Sequence, residues 1–157
     1  MEEKNKELHL RKVTFGDLKT VIEMLADDVL GKNREEVSDP LNEQYISAFR
    51  SIEQNPYQDL LVLVNRDDEI LGTLQVTYLQ YLNHKGSKRA LIESVRIHSS
   101  MRGKGLGEKM FHLVIQRAKE NGADVVQLMS DKTRTEALRF YKKLGFTASH
   151  EGFKMKI

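Results

Sequence analysis

Three glycines within six residues, Arg102 to Gly107 (RGKGLG), limit this chain more than any other feature of it. They sit inside the stretch LIESVRIHSSMRGKGLGEKMFHLVIQRA, Leu91 to Ala118. Leu91 to His98 is apolar and β-branched enough to be a strand. Leu106, Met110, Leu113, Val114, Arg117 and Ala118 recur at helical spacing. Glycine gives up backbone entropy in the interior of either element, so RGKGLG reads as the turn between them. A bare turn at a helix start leaves N–H groups pointing outward, and the helix dipole adds partial positive charge. That is an anion cradle, most naturally for phosphate. Arg102 and Lys104 add full charges, and Arg can fork onto two phosphate oxygens.

The phosphate patterns can be told apart. A P-loop requires G-x-x-x-x-G-K followed by Ser or Thr, which the chain lacks. A dinucleotide fingerprint, G-x-G-x-x-G, fits Gly103 and Gly105 but puts its third glycine at Glu108, whose charge would face a pyrophosphate badly. What stands is Arg102-x-x-Gly105-x-Gly107, which on its own also suits a basic, glycine-loosened turn.

The chain's 157 residues suffice for one domain with a real core, read as 1–157. It has no cysteine, which excludes disulfide and thiol chemistry and fits a reducing, cytoplasmic setting. A net charge of +2 with 31% charged residues gives a mixed surface that makes no demand for nucleic acid. The first ten residues, MEEKNKELHL, hold no apolar segment of a secretory leader. No apolar run approaches a membrane span. His9, His84, His98, His112 and His150 lack metal-ligand spacing, so no metal is expected.

In chain order, Glu7 to Val13 alternates and predicts a first strand. Thr14 and Asp17 form a near capping box for a helix carrying Leu18, Val21, Ile22, Leu25 and Val29 and ending near Gly31. Asp39-Pro40 predicts the start of a second helix, with Leu41, Tyr45, Ile46, Phe49 and Ile52 on its apolar side, stopped before Pro56. Asp59 to Asn65 is a strand buried on both faces. Ile70 to Leu82 returns antiparallel to it, with Gly72 at a bulge, and Lys88 to His98 is the central strand. Asn121-Gly122 stops the glycine-turn helix. Val125 to Met129 is a strand parallel to Leu91–His98. Thr133 and Glu136 make a T-x-x-E box for a last helix with Ala137, Phe140, Tyr141 and Leu144 on one side. Phe146 to Ser149 and Gly152 to Ile157 read as a closing hairpin. The order is β α α β β β α β α β β, mixed α+β, whereas a doubly wound domain would alternate from the start.

Two segments carry a family resemblance. Arg102-x-x-Gly105-x-Gly107 resembles the acetyl-CoA pyrophosphate loop of the GNAT superfamily of N-acetyltransferases, written Gln or Arg, two residues, Gly, one residue, Gly or Ala. Ala137 to Phe146 (ALRFYKKLGF) resembles that family's A-x-x-(F/L)-Y-x-K-x-G-F segment, in which the fourth position is Phe or Leu, and the order of elements matches across nearly the whole chain. The resemblance implies a mostly antiparallel central sheet, splayed at the cofactor and flanked by helices, with acetyl-CoA as co-substrate. It implies diphosphate contacts from Arg102, Gly103, Lys104, Gly105, Leu106 and Gly107. It also implies main-chain contacts from Val95, Arg96 and Ile97 to the pantetheine arm, one N–H acting on the thioester oxygen. The family usually has Asn three residues before Ala137, against the pantetheine; here it is Arg134. That contact is either lost or replaced by a guanidinium on a cofactor phosphate or carbonyl.

Acyl transfer to an amine needs a held cofactor, a polarised carbonyl, a deprotonated ammonium and a protonated leaving thiolate, with positioning supplying most of the gain. Glu93 is the candidate base. Strict alternation puts Leu91, Glu93, Val95 and Ile97 on one apolar face and Ala90, Ile92, Ser94, Arg96 and His98 on the other. A carboxylate on that face would have a raised pKa, as a base near neutrality requires. The alternative is an ion pair with Lys88, Arg89 or Arg96. Tyr141 is the candidate acid by resemblance, its phenol of pKa about 10 able to protonate a thiolate; the alternative is a core tyrosine bonded to a carbonyl. Asp27, Asp28, Glu35, Glu36 and Asp39 gather around the first helix–helix connection, either as a solvated loop or as attractors of a cationic acceptor. The acceptor implied is the primary amine of a small molecule (amino acid, polyamine or aminosugar-like). The alternatives are a non-catalytic acyl-CoA-binding regulatory module and a protein N-acetyltransferase. Sequence carries no signal for oligomeric state; members of the family are often dimers, so the resemblance allows a homodimer.

Overall fold

A computed structural model describes residues 7–157. The reading of the first ten residues as leader-free falls mainly on 1–6, outside the described residues. By internal packing the chain divides into two units, Met1–Gln127 and Leu128–Ile157. The elements are β1 (His9–Lys12), α1 (Leu18–Ala26), α2 (Glu43–Glu53), β2 (Gln58–Val64), β3 (Ile70–Gln80), β4 (Lys88–Ile97), α3 (Leu106–Glu120), β5 (Val125–Leu128) and α4 (Thr135–Lys143). This is the expected mixed α+β class. The sheet order is β1-β2-β3-β4-β5, so β3 rather than β4 is its middle strand. β1 to β4 are antiparallel neighbours. Asp124 N–H donates to Lys88 O (2.8 Å) and Lys88 N–H to Asp124 Oδ2 (3.0 Å), so β4 and β5 start at one end, as an intervening helix demands. No helix among the described residues is long and apolar enough to cross a membrane.

Register sorts the sheet into two faces. Leu61 pairs with Leu74, Val76 with Ile92 and Tyr78 with Ala90, which sets these residues on one face. They are buried, as are Leu106, Met110, Phe111, Val114 and Ala118, which form one stripe of α3. Two contacts fix α3 on this face. Arg117 Nε donates to Asp59 Oδ2 at 2.9 Å. A Cβ at Gly72 would lie 3.1 Å from Met110 Sδ and 3.0 Å from Arg96 O, so only glycine admits this approach. On the opposite face Val62 and Val64 pack with Val13, Leu18, Val21 and Phe49, closing a core beneath α1 and α2. Each such side chain stabilises the fold by about 1.5–3 kcal/mol relative to exposure.

Local signals explain where elements begin, and where expectation and structure part. Thr14 N–H and Oγ1–H both donate to Asp17 Oδ2 (2.7 and 2.8 Å), so the predicted box forms, on the short 3-10 turn Phe15–Asp17 that leads into α1. Arg11 clamps the same carboxylate at 2.7 Å, which holds Asp17 below the usual carboxylate range. α1 stops at Ala26, not near Gly31, because Asp28 Oδ1 accepts the Gly31 N–H and closes a separate turn there. α2 starts at Glu43 rather than at Pro40. Asn42 is the N-cap, its Oδ1 accepting from Gln44 N–H at 2.9 Å, while Asp39 pairs with Lys19 at 3.1 Å. The β2–β3 register slips between Leu63 and Val64, so the expected bulge at Gly72 is present, with Leu71 as the extra residue.

The second unit holds α4 and two edge-to-face ring pairs, Phe140–Tyr141 (5.5 Å) and Tyr141–Phe146 (6.1 Å). The expected T-x-x-E box does not form. Asp131 Oδ1 accepts both Thr133 N–H (2.9 Å) and Thr133 Oγ1–H (2.6 Å), so Thr133 closes a turn and Arg134 becomes the N-cap. Nor does the closing hairpin form: 146–157 carries no strand, and Phe153, Met155 and Ile157 are exposed. Alternation alone does not make a strand without a neighbour to pair with.

Candidate active site

Gly105 ends the turn as the N-cap of α3, at φ +73°, and Gly103 has φ +74°. L-residues reach that region only with strain. The main-chain N–H groups of Gly103 through Gly107 make no hydrogen bond to any described residue. Five donors thus lie at the positive end of a fifteen-residue helix, on a turn where a Cβ at Gly103 or Gly105 would meet nothing. This is chemistry for a diphosphate, so the turn fits the group its sequence predicts.

Arg102 departs from expectation. Its Nε donates to Ile97 O (3.2 Å), and its Nη2 to Asp27 O (2.9 Å) and Asp27 Oδ2 (3.2 Å). Arg102 therefore ties the turn to the end of β4 and to the residue after α1, rather than standing ready as a phosphate fork. Lys104 is exposed on the turn, with Met101 Sδ 3.6 Å from its Nζ.

β4 breaks the strict alternation. Thr73 pairs with Arg96 and Gln75 with Glu93, so two residues, Ser94 and Val95, stand opposite Leu74 alone. The extra residue is accommodated by Ser94 at φ +54°. Arg96 therefore shares the face of Leu91 and Glu93, while Ile97, opposite Gly72, joins the face of Ile92. The expected grouping of Glu93 with Val95 and Ile97 is overturned. The expected apolar burial of Glu93 is overturned too, since its side chain is exposed. The ion-pair alternative fares no better. Lys88 Nζ donates to Asn121 O (3.2 Å), Arg89 reaches Gln127 Oε1 (3.3 Å) and stacks 4.5 Å over the Tyr81 ring, and Arg96 meets Asp28.

Two acids read from sequence as loop acids hold these arginines. Asp27 takes Arg102, as above. Asp28 Oδ2 lies 3.0 Å from Arg96 Nη2, the two side chains 18% and 13% exposed, so this pair is largely shielded from water. Arg96 Nη1 donates in turn to Val95 O at 2.9 Å. Nothing in the spacing of Asp28 and Arg96 announces this, because an ion pair between a helix end and a strand needs the fold to form it. Of the three residues expected to offer main chain to a pantetheine, Val95 and Ile97 have carbonyls already accepting from arginine.

In the second unit a cleft of about 580 Å³ opens at the start of α4, lined by Thr133 to Ala137, Phe140 and Tyr141. The sequence candidates Arg134 and Tyr141 both line it. Tyr141 is half-buried between its two aromatic partners, and Arg134 is exposed. No group of His, Asp or Glu side chains among the described residues is arranged to hold a metal ion.

A family model described as "Acetyltransferase (GNAT) family" matches residues 22–146. An aminoalkylphosphonate N-acetyltransferase of Salmonella typhimurium is 26% identical over 91 residues, 58% of this chain and 58% of that protein. An L-methionine sulfoximine/L-methionine sulfone acetyltransferase of Pseudomonas aeruginosa is 27% identical over 90 residues, 57% of this chain and 51% of that protein. The chain thus spans between half and three-fifths of the curated relatives it matches. A solved structure described as a transcriptional regulator from Bacillus halodurans C-125 superposes with a TM-score of 0.91 at 48% identity, covering 96% of this chain and 100% of that one.

Proposed function

This chain belongs to the acetyltransferase (GNAT) family, and from that premise we propose that it moves the acetyl group of acetyl-CoA onto the primary amine of a small molecule. The acceptor class is an amino acid, polyamine or aminosugar-like compound. The observation that carries the reading is the run of five N–H groups, Gly103 to Gly107, with no acceptor of their own at the start of α3. The family match runs through both units, which supports reading 1–157 as one N-acetyltransferase domain. The named amine substrates of the two curated relatives support a small acceptor for this chain. The absence of cysteine goes with a cytoplasmic setting, and a homodimer remains part of the proposal by family resemblance.

Bound acetyl-CoA would supply the activated acetyl thioester. Gly103 to Gly107 grip its diphosphate through main-chain donors, Lys104 adds charge, and Arg102 holds the turn in shape. The main chain of Val95, Arg96 and Ile97 orients the arm and turns an N–H toward the thioester oxygen. Glu93, solvent-facing, takes a proton from the acceptor ammonium directly or through one water. Tyr141 gives its phenolic proton to the departing sulfur, and Arg134 replaces the family's Asn with a guanidinium contact to a cofactor phosphate or carbonyl. No metal is needed for any of these steps.

Thiol release from acetyl-CoA across amino acids, polyamines, aminosugars and peptides tests the reading. Turnover with at least one small amine is expected, with Tyr141→Phe lowering kcat about 100-fold, the lower range of acid–base contributions. No release with any acceptor would overturn it. A second reading, a coenzyme A-binding regulatory module, is favoured by the description of the Bacillus halodurans structure at 48% identity. It predicts coenzyme A affinity without turnover and indifference to Tyr141→Phe.

A further inference from the structure

We propose that Asp28 is a positioning residue for acetyl transfer, acting through Arg96 to fix the bulge peptide of β4. The inference rests on the acetyltransferase reading above. Three contacts form a relay. Asp28 Oδ1 accepts the Gly31 N–H, which fixes the carboxylate on its own turn. Asp28 Oδ2 holds Arg96 Nη2 at 3.0 Å in a largely shielded pair. Arg96 Nη1 holds Val95 O at 2.9 Å.

Val95 lies in the one stretch of β4 where the β3 register is interrupted, beside Ser94 at φ +54°. A peptide in a regular ladder is oriented by its neighbour strand; a bulged residue is left unpaired. Arg96 itself is paired with Thr73, so its N–H is already oriented by β3. A trans peptide points its C=O opposite its N–H, so Val95 O faces the other edge of β4, and there the guanidinium holds it, fixing the bulge peptide from the side β3 does not reach. The relay lies on the same sheet face as Glu93, because the bulge brings Arg96 there. A donor aimed at a developing oxyanion acts only if it is already in place, since reorganising it during reaction forfeits its benefit. Asp28 thus sets the geometry of the strand edge at which the thioester is to react, without touching a substrate itself.

Asp28→Asn is the discriminating variant. Its Oδ1 still accepts from Gly31, so the turn survives, while the charge that holds Arg96 is gone. With the best acceptor from the amine panel, kcat should fall about 10- to 100-fold, the effect of misplacing a reacting group by roughly an ångström. KM for acetyl-CoA and the calorimetric Kd for coenzyme A should move less than about twofold, because the five donors at Gly103 to Gly107 are untouched. Asp28→Glu should recover part of kcat. In Arg96→Met, adding Asp28→Asn should cost nothing further, since the two act as one relay. Amide exchange at Arg96 should quicken in Asp28→Asn with the thermal midpoint little changed.

Full kcat in Asp28→Asn overturns the proposal, as does a loss confined to Kd for coenzyme A, or additive losses in the double variant. Those outcomes leave the acetyltransferase reading standing. A wild-type protein that binds coenzyme A but acetylates no acceptor overturns both.

Discussion

The two units of the chain place their candidate residues on very different footings. In Met1–Gln127 the phosphate-type turn is anchored at both ends. Leu106 and Met110 of α3 lie in a fully buried stripe, and Arg102 bonds to Ile97 and Asp27. In Leu128–Ile157 no residue is fully buried, α4 rests on half-buried rings, and Phe153, Met155 and Ile157 face solvent. The first unit codes its site in backbone shape set by a packed core. The second presents side chains, Arg134 and Tyr141, on one helix end. Substitutions in the core and the glycine turn of the first unit should therefore act through structure, and those at Arg134 and Tyr141 of the second through chemistry.

The largest expected effect is on stability. Phe111→Ala, at a side chain with no exposed area, should cost about 3–5 kcal/mol in denaturant unfolding, whereas Phe153→Ser should stay within about 0.5 kcal/mol. Equal losses would erase the contrast between the units. Next comes the turn. Gly105→Val forces a β-branched residue to φ +73° where its side chain meets nothing, so any effect is one of backbone alone. Calorimetry should find coenzyme A affinity down at least about tenfold, or about 1.4 kcal/mol. Glu93→Gln follows: kcat down about tenfold or more with an unchanged thermal midpoint, since the exposed side chain makes no ion pair among the described residues. A fall in the midpoint instead would return Glu93 to a structural role.

The smallest effect is a pH dependence confined to the first unit. Arg11 and Thr14 hold Asp17 below its ordinary 3.8 in the folded state. The folded value is depressed, so this stability is present above about pH 4 and is lost as pH falls through the folded value. Asp17→Asn should flatten that acid limb, read from unfolding midpoints between about pH 5 and about pH 2.

Sequence reading reached those features whose cause is local. The Thr14–Asp17 box, the glycine turn and the α3 stripe depend on residues within one or two turns of each other, and each is found where expected. It went astray where a competing partner lay just outside the pattern. Asp131 took Thr133 from its box, and Asn42 outcompeted Asp39-Pro40 as a helix start. It could not see Asp28 with Arg96, or Asp27 with Arg102, because these pairs join residues some seventy positions apart. The bulge at Ser94 left no trace either: bulges of this kind often recruit glycine, and here a serine adopts the left-handed geometry.

That serine makes β4 a strand of two parities. Up to Glu93 its odd-numbered residues share one side, and from Arg96 on its even-numbered residues do. Removing one residue at 94 or 95 would restore an unbroken alternation with Arg96 still opposite Thr73 and Ile97 still opposite Gly72. Straightening the bulge with every residue kept would instead drive Arg96 into the oil beneath α3 and push Ile97 out on the side of Glu93. One serine's left-handed turn decides which surface of this sheet carries a cation.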